Sequence, residues 1–280
     1  MLRLQRIWEG EKSKLSDHIR EIKPKRVLLI FWHGLGDLIM FLNPFEALKK
    51  EFPYVIFDLA VQNGLGFNEV TADLQDTNVL FIDGSFFNNL QDNLYDIVAD
   101  IDFPMSEGQI ELTKGEYCCR HELGIDPVNG HKKLTQGVNR LIGVHYQITC
   151  LPDSANVPYE IAKKVWQEIK EAEYIPMETL MKHVFHNPVN EKYDFIDRHI
   201  RDIPAKVSTL IGIMQNCSHF ICCVSGNFHV ALSILPPERI CLLERDFKAE
   251  CFTKLPIKRI NIKNYQDGSI KEWLTQSASN

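Results

Sequence analysis

A carboxylate where a buried strand hands over to a helix can do one of two jobs, and Asp37 stands at such a point. The apolar run Val27–Trp32 leads into His33-Gly34-Leu35-Gly36-Asp37, and a second apolar stretch follows. As a helix cap, Asp37 would satisfy backbone N–H groups of the helix that begins there. As a reagent, it would lie at the carboxyl end of a strand, where open α/β sheets hold their ligands, and would take a proton from a hydroxyl. Gly34 and Gly36 make the turn in either case and let the backbone come close to a ligand. The G-x-G spacing also opens the dinucleotide fingerprint, but Ile39 occupies the position of its third glycine, which disfavours a Rossmann-type oxidoreductase.

A second corner lies in "CSHFICCVSGNFHVALSI", Cys217–Ile234. A buried strand ends at Ser225-Gly226, and His229 falls one turn into the next helix. Free N–H groups at a helix start hold phosphate with the help of the helix dipole, and a hydroxyl and a histidine there can donate to the same group. By itself His229 reads as an ordinary partly buried histidine. Two further polar positions follow strands: Thr149, in the loop after Leu141–His145, and Glu191, at the start of the helix after the strand near His186. Singly, Thr149 is a loop hydroxyl and Glu191 a first-turn acid favoured by the dipole.

The elements that must position these groups alternate. Strands are predicted at Val27–Trp32, Val55–Val61, Val79–Ile82, Ile97–Ile101, Leu141–His145, His183–Phe185, His219–Val224 and Arg239–Leu243. Helices are predicted at 12–22, Asp37–Phe52 (kinked or interrupted by Pro44), Pro158–Ala172, Asn190–His199, Val207–Asn216, Asn227–Ile234 and Gly268–Leu274. Such alternation predicts parallel α/β sheets. A short helix ends near Gly124, and the polar loop after it, with Pro127, Gly130 and Gly137, reads as a domain boundary. The expected division is an N-terminal amphipathic segment over 1–23, one domain over 24–130 and a second over 131–280.

Composition narrows the function classes. The chain has 280 residues, 45% hydrophobic and 24% charged, with a formal charge of −6, so it lacks the basic surface of a nucleic-acid binder. No apolar run reaches the roughly 20 residues of a membrane span, and the N-terminus does not read as a signal peptide. The eight cysteines form no C-x-x-C pair, and several sit inside apolar runs as small hydrophobes, which points to a reducing cytoplasm. Residues 1–26 differ from the rest, with eight Lys/Arg against four Asp/Glu. The segment 1–23 reads either as a helix packed on the first domain or as a surface anchor at the inner face of the cytoplasmic membrane.

Taken in order, these segments resemble glycosyltransferase family 9, the heptosyltransferase-like enzymes. The carriers are Leu35-Gly36-Asp37 with "EALKKEFP", "GVH" at 143–145, "NPVNE" with Glu191, and "LIGIMQNCSHFICCVSGNFH" with Ser225, Gly226 and His229. The resemblance covers about residues 25–245. It implies a GT-B fold, two Rossmann-like domains with a cleft between them, and transfer of a sugar from a nucleotide-diphosphate donor to a glycan or lipid-linked acceptor, with inversion, no metal and no cofactor. It makes Asp37 the catalytic base, Ser225, Gly226 and His229 the diphosphate site, Thr149 a further phosphate contact and Glu191 the nucleoside contact. Two positions depart from the family pattern: Val224 replaces an aspartate, and Ala155 stands at an expected lysine, for which Lys132, Lys133 and Arg140 are the nearby cations. A protein that binds a nucleotide sugar without turning it over is the alternative these departures raise. A scaffold that keeps the fold for partner binding has no specific support.

Overall fold

Runs such as Val27-Leu28-Leu29-Ile30-Phe31 are apolar at every position and suit strands covered on both faces, the condition met in parallel sheets. The computed structural model describes residues 2–4, 13–64, 66–86, 90, 94–103, 112–134, 146–151, 158–172, 181–186, 207–215, 217–244 and 249–277. The chain separates into two compact units, Met1–Lys132 with Glu250–Thr253, and Lys133–Ala249 with Lys254–Asn280.

Unit 1 contains β1 (Leu2–Leu4), α1 (Leu15–Ile22), β2 (Arg26–Phe31), α2 (Leu35–Glu51), β3 (Ile56–Gln62), α3 (Phe67–Thr71), β4 (Val79–Ile82), β5 (Ile97–Asp100) and α4 (Lys114–Cys118), which runs into one π turn, Cys119–Leu123. Its five strands are all parallel, in the order β1-β5-β2-β3-β4. Helix α2 buries Leu38, Ile39, Met40, Phe41, Leu42, Phe45 and Leu48, so it is an inner helix rather than an amphipathic one. Phe41 stacks on Phe31 of β2 with ring centroids 4.5 Å apart.

One charge lies inside this sheet. Asp58, in β3, is fully buried; its Oδ2 pairs with Arg26 Nη2 at 2.6 Å and accepts from the Tyr95 hydroxyl at 3.0 Å, while Oδ1 accepts from Asn78 N–H at 3.0 Å. Burial, followed by the charge of Asp58, pushes the Tyr95 phenol up to about 12.

Unit 2 contains β6 (Tyr146–Leu151), α5 (Tyr159–Glu171), β7 (Met181–His186), α6 (Val207–Gln215), β8 (Cys217–Cys222), α7 (Gly226–Ile234), β9 (Ile240–Glu244), β10 (Lys258–Asn261) and α8 (Ser269–Ser277). These strands are also all parallel, in the order β10-β9-β8-β6-β7. Val165, Trp166 and Ile169 of α5 share one core with Ile221, Cys241, Leu243, Ile270 and Trp273. Cys222, Cys223 and Cys241 are buried cysteines outside any disulfide; burial raises the Cys241 thiol far above its ordinary range.

Several sequence expectations are corrected. Tyr146–Leu151, expected as the loop after His145, forms strand β6, while the strand expected at Leu141–His145 and the helix expected at Asn190–His199 lie outside the described residues. Helix α2 starts at Leu35 and runs unbroken through Pro44. Strands β1 and β10 carry no alternating or extended apolar run in the sequence; both are edge strands of only three and four residues. Two described parts of the N-terminal segment pack on unit 1. Leu2–Leu4 pairs with Ile97–Ala99, Leu15 and Ile19 are buried, and Ser16 donates to the Gly124 carbonyl at 2.8 Å. Gly124 is required there, because at φ +70° an added Cβ would lie 2.4 Å from Ser16 Oγ.

The last helix is docked by a side chain from another helix. Glu168 of α5 is buried and accepts from Gly268 N–H at 2.7 Å, the Tyr265 hydroxyl at 3.0 Å, Ile270 N–H at 2.8 Å and Lys271 N–H at 3.2 Å. It therefore fills the anion site at the start of α8. Hydrogen bonds to a charged group contribute about 1.5–3 kcal/mol. Glu168→Ala is expected to cost about 2–4 kcal/mol in urea denaturation, with amide exchange protection lost first over 269–277. Unchanged protection there would show that α8 is held by its apolar face alone.

Candidate active site

In an open parallel sheet the free N–H groups gather at the carboxyl ends of the strands, and the crevice forms where the strand order reverses. In unit 1 the chain passes from β2 to β3 on one side and β5 lies on the other; in unit 2 β6 neighbours β7 and β8. The corner after β2 therefore lies beside the reversal in unit 1, and the corner after β8 beside that in unit 2. Each strand is the central one of its sheet. Residues 32–34 separate β2 from α2, and residues 223–225 separate β8 from α7.

At the first corner the N-cap is Gly34, in ordinary extended backbone, and no side chain caps the helix. Asp37 is thus the third residue of α2, which corrects the reading of it as a cap. Its Oδ1 accepts instead from Lys114 Nζ at 2.7 Å, with the lysine side chain 8% exposed and the aspartate 24%. Lys114 opens α4. That helix starts with a reciprocal cap, in which Glu116 N–H donates to Thr113 Oγ1 and Thr113 N–H to Glu116 Oε2. Gly115 rests against α2, where a Cβ would lie 3.7 Å from the Met40 carbonyl and 3.8 Å from Pro44 Cγ.

The Lys114 ammonium also stands 5.0 Å from the centroid of the Phe103 ring. Phe103 N–H donates to His33 Nε2 at 3.0 Å, so the imidazole is neutral there and carries its proton on Nδ1. Burial holds His33 below its usual range, opposed by the negative charge of Asp37 and assisted by the positive charge of Lys114. His33, Asp37 and Lys114 form one cluster. Lys114 was missed in the sequence because it is remote from the motif and lies in a segment without apolar periodicity.

At the second corner Ser225 is the N-cap of α7, and its hydroxyl is buried without a hydrogen-bond partner among the described residues. An added Cβ at Gly226 would meet nothing within 4 Å, and the same holds at Gly34. Neither glycine is demanded by neighbours or by positive φ, so both helix starts face open space. His229 is buried against Phe228, with ring centroids 5.4 Å apart. Val224, where the family carboxylate would stand, is half-buried.

The structure brings Ser225, Gly226 and His229 onto one helix start and keeps Asp37, Gly34 and Gly36 on the other. It moves Thr149 out of the expected loop: Thr149 lies within β6, in register with Val184 and Ile221. Glu191 and Ala155 lie outside the described residues. Among the described residues no group of three His, Cys, Asp or Glu is placed to hold a metal ion.

Neither a protein-family model nor a curated protein sequence matches the chain. Solved structures do. TibC from enterotoxigenic E. coli, a dodecameric iron-containing heptosyltransferase solved with ADP-D-beta-D-heptose, gives a TM-score of 0.61 at 12% identity, over 88% of this chain and 64% of its own. A family 9 glycosyltransferase from Veillonella parvula gives 0.61 at 15% identity, over 91% of this chain and 96% of its own. The fold is that of the family 9 glycosyltransferases. E. coli ADP-heptose lps heptosyltransferase II has it too, with a TM-score of 0.61 at 12% identity over 90% of this chain and 98% of its own. This chain therefore spans less than two thirds of TibC and nearly all of the other two.

The hydrogen bond at His33 fixes the sign of a pH dependence. The unfolded chain binds a proton near pH 6.5 and the folded chain only below that, so this contribution to stability is whole above 6.5 and is lost as the pH falls beneath it. Burial pushes His219 down to about 4, which carries the same loss to about pH 4. Urea melts should show stability declining from about pH 6.5. His33→Gln, which keeps an acceptor for Phe103 N–H, should lose less over the upper part of that range; an identical slope would remove His33 as a cause.

Proposed function

We propose that the protein is a glycosyltransferase of the heptosyltransferase kind. It moves a sugar, heptose or a related one, from a nucleotide-diphosphate donor to a glycan or lipid-linked acceptor inside the cell, with inversion and without a metal. The observation that carries this reading is the start of α7: a buried hydroxyl without a hydrogen-bond partner among the described residues, a glycine facing open space and His229 one turn on. Those are the parts of a phosphate cradle, and α7, with nine residues, is long enough to carry a useful dipole. The likeness to enzymes that use ADP-heptose, solved with it in the case of TibC, supports a nucleotide-diphosphate sugar as the occupant.

In this reading an acceptor hydroxyl attacks the anomeric carbon while the diphosphate leaves from the opposite face. Asp37 takes the hydroxyl proton. The N–H groups at Gly226, the Ser225 hydroxyl and His229 meet the charge that builds on the leaving diphosphate. The mechanism assigns the acceptor to the corner of unit 1 and the donor to that of unit 2, and it requires water, which would otherwise hydrolyse the donor, to be excluded. Val224 favours a second reading, binding without turnover, because it removes a carboxylate from the donor corner.

Calorimetry and turnover with nucleotide-diphosphate sugars test the proposal. Asp37→Asn should lose about 10²–10⁴ in rate with donor affinity within a few-fold; near-normal turnover would strip Asp37 of the role of base. Binding without turnover in the wild-type protein would select the second reading.

Ser225→Ala removes only a hydroxyl that has no partner, so its melting temperature should hold or rise. Its affinity for a nucleoside diphosphate should fall about 10- to 100-fold, the range for a hydrogen bond to a charged group. Gly226→Ala has room for its methyl group and a better helix former, so it should be at least as stable yet bind more weakly. Unaltered diphosphate affinity in both variants would refute the cradle.

A further inference from the structure

We propose that Lys114 is the positioning residue for the base at the β2–α2 corner. The inference rests on the glycosyltransferase reading and adds to it a group that lies outside every motif in the sequence. Local criteria do not explain a lysine at this place. It is the first residue of α4, at the positive end of the helix dipole, where a cation is disfavoured. Its side chain is 8% exposed, a degree of burial that lysine takes up when it has a partner. Stability does not explain it either, since the desolvation of a largely buried ion pair offsets most of its attraction.

The placement is nevertheless well determined. The Thr113–Glu116 cap fixes the start of α4, Gly115 lets α4 close on α2, and the Phe103 ring supports the ammonium from one side at 5.0 Å. Phe103 is in turn tied to the corner by His33. All of this converges on one contact, Lys114 Nζ to Asp37 Oδ1 at 2.7 Å.

The consequence is geometric. With Oδ1 held by Lys114, Oδ2 makes no hydrogen bond among the described residues, and it is the oxygen left to meet the acceptor. In the transfer step the hydroxyl proton goes to Oδ2. The hydroxyl oxygen forms its bond to the anomeric carbon, and the carbon–oxygen bond to the diphosphate breaks with its electron pair leaving on the diphosphate. Lys114 touches neither substrate in this scheme. It acts by fixing the rotamer of Asp37, and misplacement of a reacting group by about 1 Å can cost 10²-fold in rate.

The test is steady-state turnover of a nucleotide-diphosphate sugar by the wild type, Lys114→Met, Lys114→Arg, Asp37→Asn and the double variant Asp37→Asn/Lys114→Met, each checked for folding by thermal melting. Lys114→Gln replaces the methionine variant if that one does not fold. Loss of Lys114 should lower kcat about 10- to 100-fold and leave the donor KM within about threefold. Lys114→Arg should recover most of the rate. The double variant should be no slower than Asp37→Asn, because there is then no base to position. A folded Lys114→Met with kcat within about twofold of wild type overturns the proposal, as does an equal loss in the presence and absence of the Asp37 carboxylate. A wild-type protein that binds the donor but does not turn it over overturns the enzymatic reading instead, and the role of Lys114 falls with it.

Discussion

A carboxylate without solvent must be neutralised on every side or it breaks the structure that holds it, and Asp58 is such a group. Its partners come from the amino ends of neighbouring segments: Arg26 from the first residue of β2, Asn78 from the step before β4, and Tyr95 from just before β5. Satisfying one charge therefore sets three strand starts relative to β3. A strand fixed at its amino end is fixed at its carboxyl end as well, and that opposite end is where His33 and Asp37 stand. The contacts at the corner, 2.7 and 3.0 Å long, are thus framed by a network at the other end of the same strands.

The two units solve the same problem with opposite chemistry. Each sends its central strand into a three-residue turn and a helix whose start is open, the arrangement that leaves N–H groups available to a ligand. In unit 1 the open start is followed by a carboxylate already engaged by a cation. In unit 2 it carries a hydroxyl with no hydrogen-bond partner among the described residues and a buried histidine. A carboxylate repels phosphate and draws a proton; a bare helix start attracts phosphate. One architecture thus carries two chemically different corners, distinguished by the few residues at the first turn.

The alternation of apolar runs and helices was legible because strands covered on both faces are apolar throughout, and β2, β3, β4 and β5 appear within a residue of where the sequence puts them. Short edge strands were not. β1 and β10 are specified by pairing with a neighbour rather than by their own pattern. The two motif corners were readable because glycine, serine and aspartate have few reasons to sit at a strand–helix junction. Thr149 was read as loop because the apolar run "LIGVH" stops at His145, whereas Tyr146–Leu151, polar at alternate positions, is strand as well. The place of Asp37 at the strand–helix corner was legible, but the cation it meets, Lys114, is 77 positions away, and no local pattern announces a contact made by tertiary packing.

Glu168 adds a temporal dimension. The groups that satisfy its charge lie about one hundred positions further along the chain. While the polypeptide is being made, α5 and the strands beside it emerge with that carboxylate unmatched, and it has to stay hydrated until α8 arrives. Closure of the unit 2 core, which also takes in Ile270 and Trp273, must await the final turns of chain. Contacts of such long range make for slow maturation. The core of a nascent unit 2 therefore stays open at a stage when the sheet of unit 1 has all five of its strands available.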